Sequence, residues 1–250
     1  MEEMDPKRVV LITCISVDYD LDYLYHFFKH YGRLDIDQYK VILHSKDKID
    51  QDKMLGRFQL LFKDIKAEYV LEFWTGVFKY YDKVDRLNSL IVEEKGVYYV
   101  LADVDEQQIW LDSIKSTISS NGNRVVWGRL RDREAPVNTN TTIGTTIDLN
   151  EQFPIISNKS NWEAKLYYKP VVFNSSFTLN GCHDIMGIDK FKGIDDNNTV
   201  LDVDHYRWND KRLDKMLERY ENYKDYNISE LTKDSDHVLS VLKAKHKDLL

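Results

Sequence analysis

The sequence predicts an α/β protein whose mostly parallel sheet is covered by helices on both faces. Three observations support this class. Short apolar runs typical of buried strands recur through the first 106 residues, amphipathic helical patterns separate them, and the fourth run ends in a cluster of acids. Strands that alternate with helices form parallel sheets through right-handed crossovers. Ligands of such sheets bind beyond the carboxyl ends of the strands, where these acids lie.

Four strands and three helices are predicted in this first part of the chain. The strands are expected at residues 9–15, 39–43, 69–73 and 97–102. The helices are expected to begin near Asp20, Asp52 and Thr75, since these residue types cap helix N-termini. Each helical segment carries an apolar stripe at helical spacing. Gly32 and Gly96 follow the first and third helices and favour their ends there.

The pattern loosens after Glu106. A helical piece is predicted at residues 109–118 and a strand at residues 125–128. Residues 129–134 form a charged run, a pattern that most often belongs to a solvated surface. The polar stretch at residues 136–146 has little periodicity. Strand-like composition returns at residues 164–173, and the C-terminal segment has a helical pattern.

Composition excludes several classes of protein. The net charge of -7 and the pI near 5.5 provide no basic surface for nucleic acid. Cys14 and Cys182 are too few for a disulfide framework, which favours a reducing compartment. The chain shows no signal-peptide pattern and no apolar run as long as a membrane span. We therefore expect a cytoplasmic protein without a nucleic-acid partner or a membrane span.

The acids after the fourth strand are the first candidate site. In an extended conformation Asp103 and Asp105 point to the same face. No Lys or Arg adjoins them in sequence, so two converging carboxylates would repel unless a cation lay between them. A hard divalent cation is the natural candidate, because it prefers oxygen ligands. An isolated D-x-D more often only ends a strand, but its place in a parallel sheet favours a function.

Two further groups are candidates for chemistry. His183 and His205 each follow an apolar segment; either is more often a structural residue, but a neutral imidazole can complete the coordination of Mn²⁺. Asp132 lies among arginines and could be a general base, part of an anion clamp or a solvated residue. Phosphate-cradling glycine loops and the G-x-S-x-G elbow are absent from the sequence, which weighs against nucleotide-loop and hydrolase chemistry.

An ordered series of short motifs resembles a known family. The motifs are D-x-D-E at 103–106, Asp-Arg at 132–133, Gln-Phe-Pro at 152–154, Lys165 with Lys169, Gly-Cys-His at 181–183 and His-Tyr-Arg-Trp at 205–208. In this order the chain resembles the family-2-like glycosyltransferases of GT-A fold found in bacteria and large DNA viruses. Gln107 departs from the aromatic residue that usually follows the acids, and residues 137–140 replace a glycine-containing turn.

The resemblance implies one GT-A domain spanning residues 1–250. Residues 1–106 would form a Rossmann-like half that binds the nucleotide sugar, and residues 107–208 the half that binds the acceptor and the metal. Residues 209–250 would form a helical C-terminal extension. The implied enzyme transfers a sugar from a UDP- or GDP-sugar to a glycan or glycoprotein acceptor, with inversion, and uses Mn²⁺ or Mg²⁺.

The resemblance also implies roles for particular residues. Asp105 and His205 would ligate the metal, and Asp103 would contact the metal through water or the donor ribose. Asp132 is the first candidate for the base that deprotonates the acceptor, and Asp184 the second. The remaining residues expected to bind the donor are Thr13, Ile15, Asp47, Lys165 and His183.

Two alternatives remain open at this stage. The first is a catalytically inactive protein that binds a glycan or a nucleotide, which Gln107 mildly favours. The second is a nucleotidyltransferase, because that class also uses a metal and acids on a related sheet. The metal hypothesis makes one spatial prediction, that Asp105 and His205 meet in the folded protein.

Overall fold

A computed structural model describes residues 7–122, 125–136, 142–157, 168–188 and 199–206. The strands are β1 (Arg8–Ser16), β2 (Gln38–Ser45), β3 (Glu68–Thr75), β4 (Val97–Leu101), β5 (Glu106–Gln108), β6 (Val126–Glu134), β7 (Ile155–Ser157), β8 (Tyr168–Asn174), β9 (Leu179–Gly181), β10 (Asp184–Ile185) and β11 (Val200–His205). The helices are α1 (Val17–Asp20), α2 (Leu24–Tyr31), α3 (Lys48–Phe62), α4 (Tyr80–Ser89), α5 (Ile114–Ser120) and α6 (Leu149–Gln152).

One large sheet organises the described residues, with strand order β3-β2-β1-β4-β8-β6-β11-β5 and β7 beside β6. Strands β1 to β4 pair in parallel, which confirms the α/β class and the parallel first half. The second half is mixed, because β8 is antiparallel to both β4 and β6 while β11 is parallel to β6. Strands β9 and β10 form a separate antiparallel pair.

The strand order creates a topological switch point between β1 and β4. From β1 the chain moves outward to β2 and β3, and then returns across β1 to form β4. Connections therefore leave the carboxyl ends of β1 and β4 in opposite directions, and ligands of open α/β sheets bind beside such a point. The acidic turn after β4 lies at this edge of the sheet.

Apolar side chains cover both faces of the sheet. On one face Leu11, Val41 and Val100 pack with residues of α2, α3 and α5. On the other face Ile12 and Tyr99 pack with residues of α4 and the β9–β10 pair. The near-continuous apolar runs of β1 and β4 follow from this, because each strand is buried on both sides.

Several sequence-based boundaries differ from the structure. The helix expected near Asp20 is divided, since α1 ends at that residue and α2 begins at Leu24. Helix α3 begins before Asp52, because the side chain of Asp47 caps it by accepting from the Asp50 amide. Thr75 ends β3 and caps no helix.

The charged run at residues 129–134 is a strand rather than a solvated segment. It belongs to β6, where Leu130, Asp132 and Glu134 alternate toward the interior with 3% exposure or less. The intervening arginines pair with Asp202 and Asp204 of the neighbouring β11. The charged side chains of β6 and β11 therefore form ion pairs across these two neighbouring strands. The helical pattern of residues 209–250 lies outside the described residues.

Among the helices that the structure describes, none combines the length and the apolar character that a membrane crossing requires. The expectations of a single domain and of a cytoplasmic location stay predictions.

Gly128 offers a stability test of the sheet's packing. A Cβ placed there would lie 2.5 Å from side-chain carbons of both Val171 and Val203. We expect Gly128→Ala to lower the free energy of unfolding by roughly 1–3 kcal/mol through overpacking. Gly56→Ala is the control, because Gly56 lies in α3 with no atom within 4 Å of its added Cβ. This control should stabilise by roughly 0.5–1 kcal/mol. Urea unfolding of the two variants measures both effects, and equal stabilities would contradict the packing.

Candidate functional site

The acidic motif forms a turn between β4 and β5. Strand β4 ends at Leu101, and the amide of Glu106 donates to the carbonyl of Asp103 over 3.1 Å. Asp103 and Asp105 are therefore not successive same-face residues of one extended strand, as the sequence had suggested. The turn separates their surroundings, so the two carboxylates have different partners.

Asp103 is held by two lysines. Lys83 of α4 contributes an ammonium 2.7 Å from Oδ1, and Lys169 of β8 contributes one 3.1 Å from Oδ2. Burial opposes the ionised form, but the two ammonium groups outweigh it and hold the pKa of Asp103 well below its usual range. The sequence-based expectation that the acids lack a nearby cation is wrong, because both lysines are distant in the chain.

Glu106 is the second acid compensated by Lys169. The Lys169 ammonium lies 3.0 and 2.7 Å from the two carboxylate oxygens of Glu106. Glu106 Oε2 also accepts from the Asp103 amide at 3.2 Å, which closes the turn. The Lys169 side chain is fully buried, and burial lowers its pKa, but Asp103 and Glu106 raise it further than burial lowers it. The lysine is therefore charged and fixes the shape of the turn.

Lys169 gives a test of this compensation. Lys169→Met leaves Glu106 and Asp103 without their shared cation, so we expect the free energy of unfolding to fall by roughly 3–5 kcal/mol. Replacing Glu106 by Gln in the same chain should recover part of the loss. Lys115→Met is the control: its pair with Asp37 is more than a third exposed, and its loss should cost less than about 1 kcal/mol. Equal losses in the two single variants would contradict the assignment.

Asp105 meets His205, as the sequence predicted. Strand β11 lies between β6 and β5, which places His205 opposite Asp132 on one side and Glu106 on the other. Its Nε2 lies 3.6 Å from Asp105 Oδ2, and its Nδ1 lies 3.1 Å from Asp132 Oδ1. The Tyr206 amide donates to the Asp105 carbonyl over 2.8 Å and joins the turn to the end of β11.

The two carboxylates change the titration of His205. Burial disfavours the imidazolium, but hydrogen bonds and charge attraction from Asp105 and Asp132 outweigh burial and raise the pKa of His205 to about 9. Without a bound cation the imidazole is therefore protonated at neutral pH. Its Nδ1–H then donates to Asp132 Oδ1, and its Nε2 forms an ion pair with Asp105 Oδ2 at 3.6 Å.

This pKa predicts a pH-dependent contribution to stability. The folded value of about 9 lies above the ordinary 6.5, so the contribution is complete below pH 6.5 and is lost as the pH rises to 9. In metal-free buffer, the difference in free energy of unfolding between the wild type and His205→Asn should shrink by about 3 kcal/mol over this interval. Urea unfolding at a series of pH values measures it. A difference that grows or stays constant would contradict the two-carboxylate contact.

A divalent cation fits Asp105 and His205 as part of its coordination. Two ligands at the usual distance from Mg²⁺ or Mn²⁺ lie about 3 Å apart, close to the 3.6 Å between Asp105 Oδ2 and His205 Nε2. Asp132 holds the other ring nitrogen, as carboxylates commonly do behind metal-bound histidines. The described residues contain no group of three or more His, Cys, Asp or Glu side chains with metal-binding geometry. Asp105 and His205 would each supply one ligand to such a cation.

The other predicted site residues lie in different surroundings. Asp132 is fully buried, whereas Asp184 lies exposed in β10. Thr13 and Ile15 are fully buried in β1. His183 lies in the turn between β9 and β10, Asp47 caps α3, and Lys165 lies outside the described residues. Their roles in donor binding and proton transfer stay predictions.

Sequence reasoning missed Lys83 and gave Lys169 no structural role. A signal was present for each. Lys83 falls on the same helical face as Tyr80, Val84 and Leu87, so a charged residue interrupts the buried stripe of α4. Lys169 interrupts an apolar strand in the same way. A lysine on a buried face requires an acidic partner, and the acidic turn supplies it for both.

No protein-family model matches the chain, and no curated protein matches it. Among solved structures, the chain is similar to S. aureus TarS residues 1–349, with 9% identity, a TM-score of 0.44, and coverage of 97% of this chain and 72% of that one. The complex of that protein with UDP-GlcNAc gives a TM-score of 0.46 at 9% identity, covering 97% and 73%. A 4-diphosphocytidyl-2C-methyl-D-erythritol synthase gives 0.36 at 12%, covering 79% and 89%. At these identities and TM-scores none of the similarities determines what this chain does.

Proposed function

We propose that the chain is a metal-dependent glycosyltransferase of GT-A type that transfers a sugar from a UDP- or GDP-sugar to a glycan acceptor. One observation carries the proposal. Asp105 and His205, distant in sequence, meet at the carboxyl edge of the sheet beside the switch point, with Asp132 behind the histidine. The ordered motifs that resemble family-2-like glycosyltransferases include all three residues.

Asp105 and His205 would hold Mn²⁺ or Mg²⁺ together with the diphosphate of the donor. The bound cation would neutralise the negative charge that develops on the leaving diphosphate. His205 must lose its proton to bind as a neutral imidazole, and Asp132 then accepts a hydrogen bond from Nδ1–H and fixes the orientation of the ring. Lys83 and Lys169 keep Asp103 ionised and hold its carboxylate in the turn. Asp103 would therefore contact the donor ribose from this fixed position.

Proton removal from the acceptor requires a carboxylate that can reach solvent. In an inverting transfer the acceptor oxygen bonds to the anomeric carbon, the bond from that carbon to the diphosphate breaks, and a base takes the hydroxyl proton. Asp132 is buried and occupied by His205, which favours a positioning role for it. Asp184 is exposed, and we propose it as the base.

The test measures donor binding and turnover with the purified chain. UDP- and GDP-sugars are added with and without Mn²⁺, and thermal shift and release of nucleoside diphosphate are recorded. We expect stabilisation that requires both ligands, since binding to the folded state raises the apparent stability. Release of pyrophosphate instead would identify a nucleotidyltransferase. Binding without release from any donor and acceptor pair would identify an inactive binding protein.

Variants at the metal ligands sharpen this test. Asp105→Asn should abolish the Mn²⁺-dependent part of the stabilisation, and Asp132→Asn should weaken Mn²⁺ binding by about 10–100-fold, because it acts through His205. Asp64→Asn is the control, since Asp64 is an exposed carboxylate in the connection between α3 and β3, at the opposite edge of the sheet. Unchanged Mn²⁺ dependence in Asp105→Asn would refute the metal assignment.

A further inference from the structure

Tyr206 follows His205 directly and forms hydrogen bonds through its amide, its carbonyl and its hydroxyl. Strand β11 ends at His205, so the strand pairs with β5 and β6 do not extend to Tyr206. Its amide donates to the Asp105 carbonyl over 2.8 Å. Its carbonyl accepts from the hydroxyl of Tyr23, and its own hydroxyl donates to Oδ1 of Asn150 in α6. These bonds hold the chain where the strand pairs stop.

The side chain of Tyr206 connects the end of β11 with α6 and β5. The residue is fully buried, and its ring lies edge-on to the ring of Phe153, which follows α6. Burial raises the pKa of the Tyr206 hydroxyl above its ordinary value, so the group stays protonated and can donate. Besides its bond to Asn150, the hydroxyl lies 3.3 Å from Oε1 of Gln107 in β5. The ring is therefore fixed by packing and the hydroxyl by polar partners.

We infer that Tyr206 is a positioning residue for the candidate metal pair of Asp105 and His205. Its amide holds the carbonyl of Asp105, and its backbone continues directly from His205, so a shift of Tyr206 changes how the two side chains meet. Ligand sets work only when neighbouring groups hold them within about 0.5 Å of the productive geometry. The inference rests on the proposed metal-dependent function, since it concerns the same site.

Removal of the hydroxyl alone tests this role. Tyr206→Phe keeps the ring, the amide and the carbonyl, but it leaves Asn150 and Gln107 without their donor. We expect the affinity for Mn²⁺ to fall about tenfold, at the lower end of the effect of groups that orient metal ligands, because Tyr206 acts through the backbone. Electron paramagnetic resonance of free Mn²⁺, recorded in titrations with UDP and with GDP present, measures this affinity separately from stability.

Tyr99→Phe is the matched control for a purely structural effect. Tyr99 is a buried tyrosine of β4, and its hydroxyl accepts from the Val92 amide at 2.9 Å and lies 3.3 Å from the Val92 carbonyl, in the connection that precedes the strand. Loss of either hydroxyl removes a buried hydrogen bond, so both variants should melt at a lower temperature than the wild type. Only Tyr206→Phe should also weaken Mn²⁺ binding. Equal Mn²⁺ affinities of the two variants would overturn the inference.

Variants of Asn150 test the same hydrogen bond from the partner's side. Asn150 is exposed, so its replacement leaves the core intact. Asn150→Asp keeps an oxygen that accepts from the hydroxyl and should bind Mn²⁺ at least as well as the wild type. Asn150→Leu removes that oxygen and should weaken binding. The double variant Tyr206→Phe with Asn150→Leu should be no weaker than Tyr206→Phe, because both changes remove one interaction.

The outcomes separate the inference from the function on which it rests. A wild type that binds Mn²⁺ with neither UDP nor GDP would refute the proposed function itself. A wild type that binds, together with unchanged affinity in Tyr206→Phe, would refute the positioning role alone. Equal losses in Asn150→Asp and Asn150→Leu, or additive losses in the double variant, would also refute it. If Tyr206→Phe does not fold, the two Asn150 variants decide the question.

Discussion

The buried ammonium of Lys169 is the constraint on which the site depends. It is fully buried between Asp103 and Glu106, and an uncompensated charge on either acid in that position would cost several kcal/mol. Lys83 adds a second cation from α4. Helix α4, the turn after β4 and strand β8 are thereby tied to one charge cluster. With Asp103 and Glu106 both occupied, Asp105 is the acid of the motif that faces His205.

The position of His205 depends on a second set of charges. These charges lie on the face of β6 and β11 that is opposite to His205 and Asp132. Arg129, Arg131 and Arg133 alternate with Leu130 and Asp132 along β6, and the arginines pair with the carboxylates of Asp202 and Asp204. A slip of one residue would turn every side chain of β11 to the other face. These ion pairs therefore secure the register that brings His205 beside Asp132.

The two sets of ion pairs act on the two halves of the candidate metal site. The lysine cluster fixes the turn that carries Asp105, and the arginine pairs fix the strand that carries His205. The contact between Asp105 and His205 links these halves at the carboxyl edge of the sheet. In the proposed enzyme, these ion pairs would hold Asp105 and His205 in place before a cation or donor binds.

The sequence by itself determined the α/β class, the four parallel strands of the first half and the meeting of Asp105 with His205. The first two follow from local periodicity, which reports the buried faces of a strand or helix. The third followed from a motif order that resembles a family. Local patterns misassigned the charged run of β6, because its ion partners lie on β11.

Only the tertiary structure decided how the acids are compensated. Lys83 precedes Asp103 by 20 residues and Lys169 follows it by 66. The strand order brings β4, β8 and α4 together, and neither composition nor spacing along the chain records that order. The lysines could be recognised as unusual, since each interrupts an apolar face, but their partners could not be named. Pairing of buried charges is long-range, because it depends on which elements become neighbours.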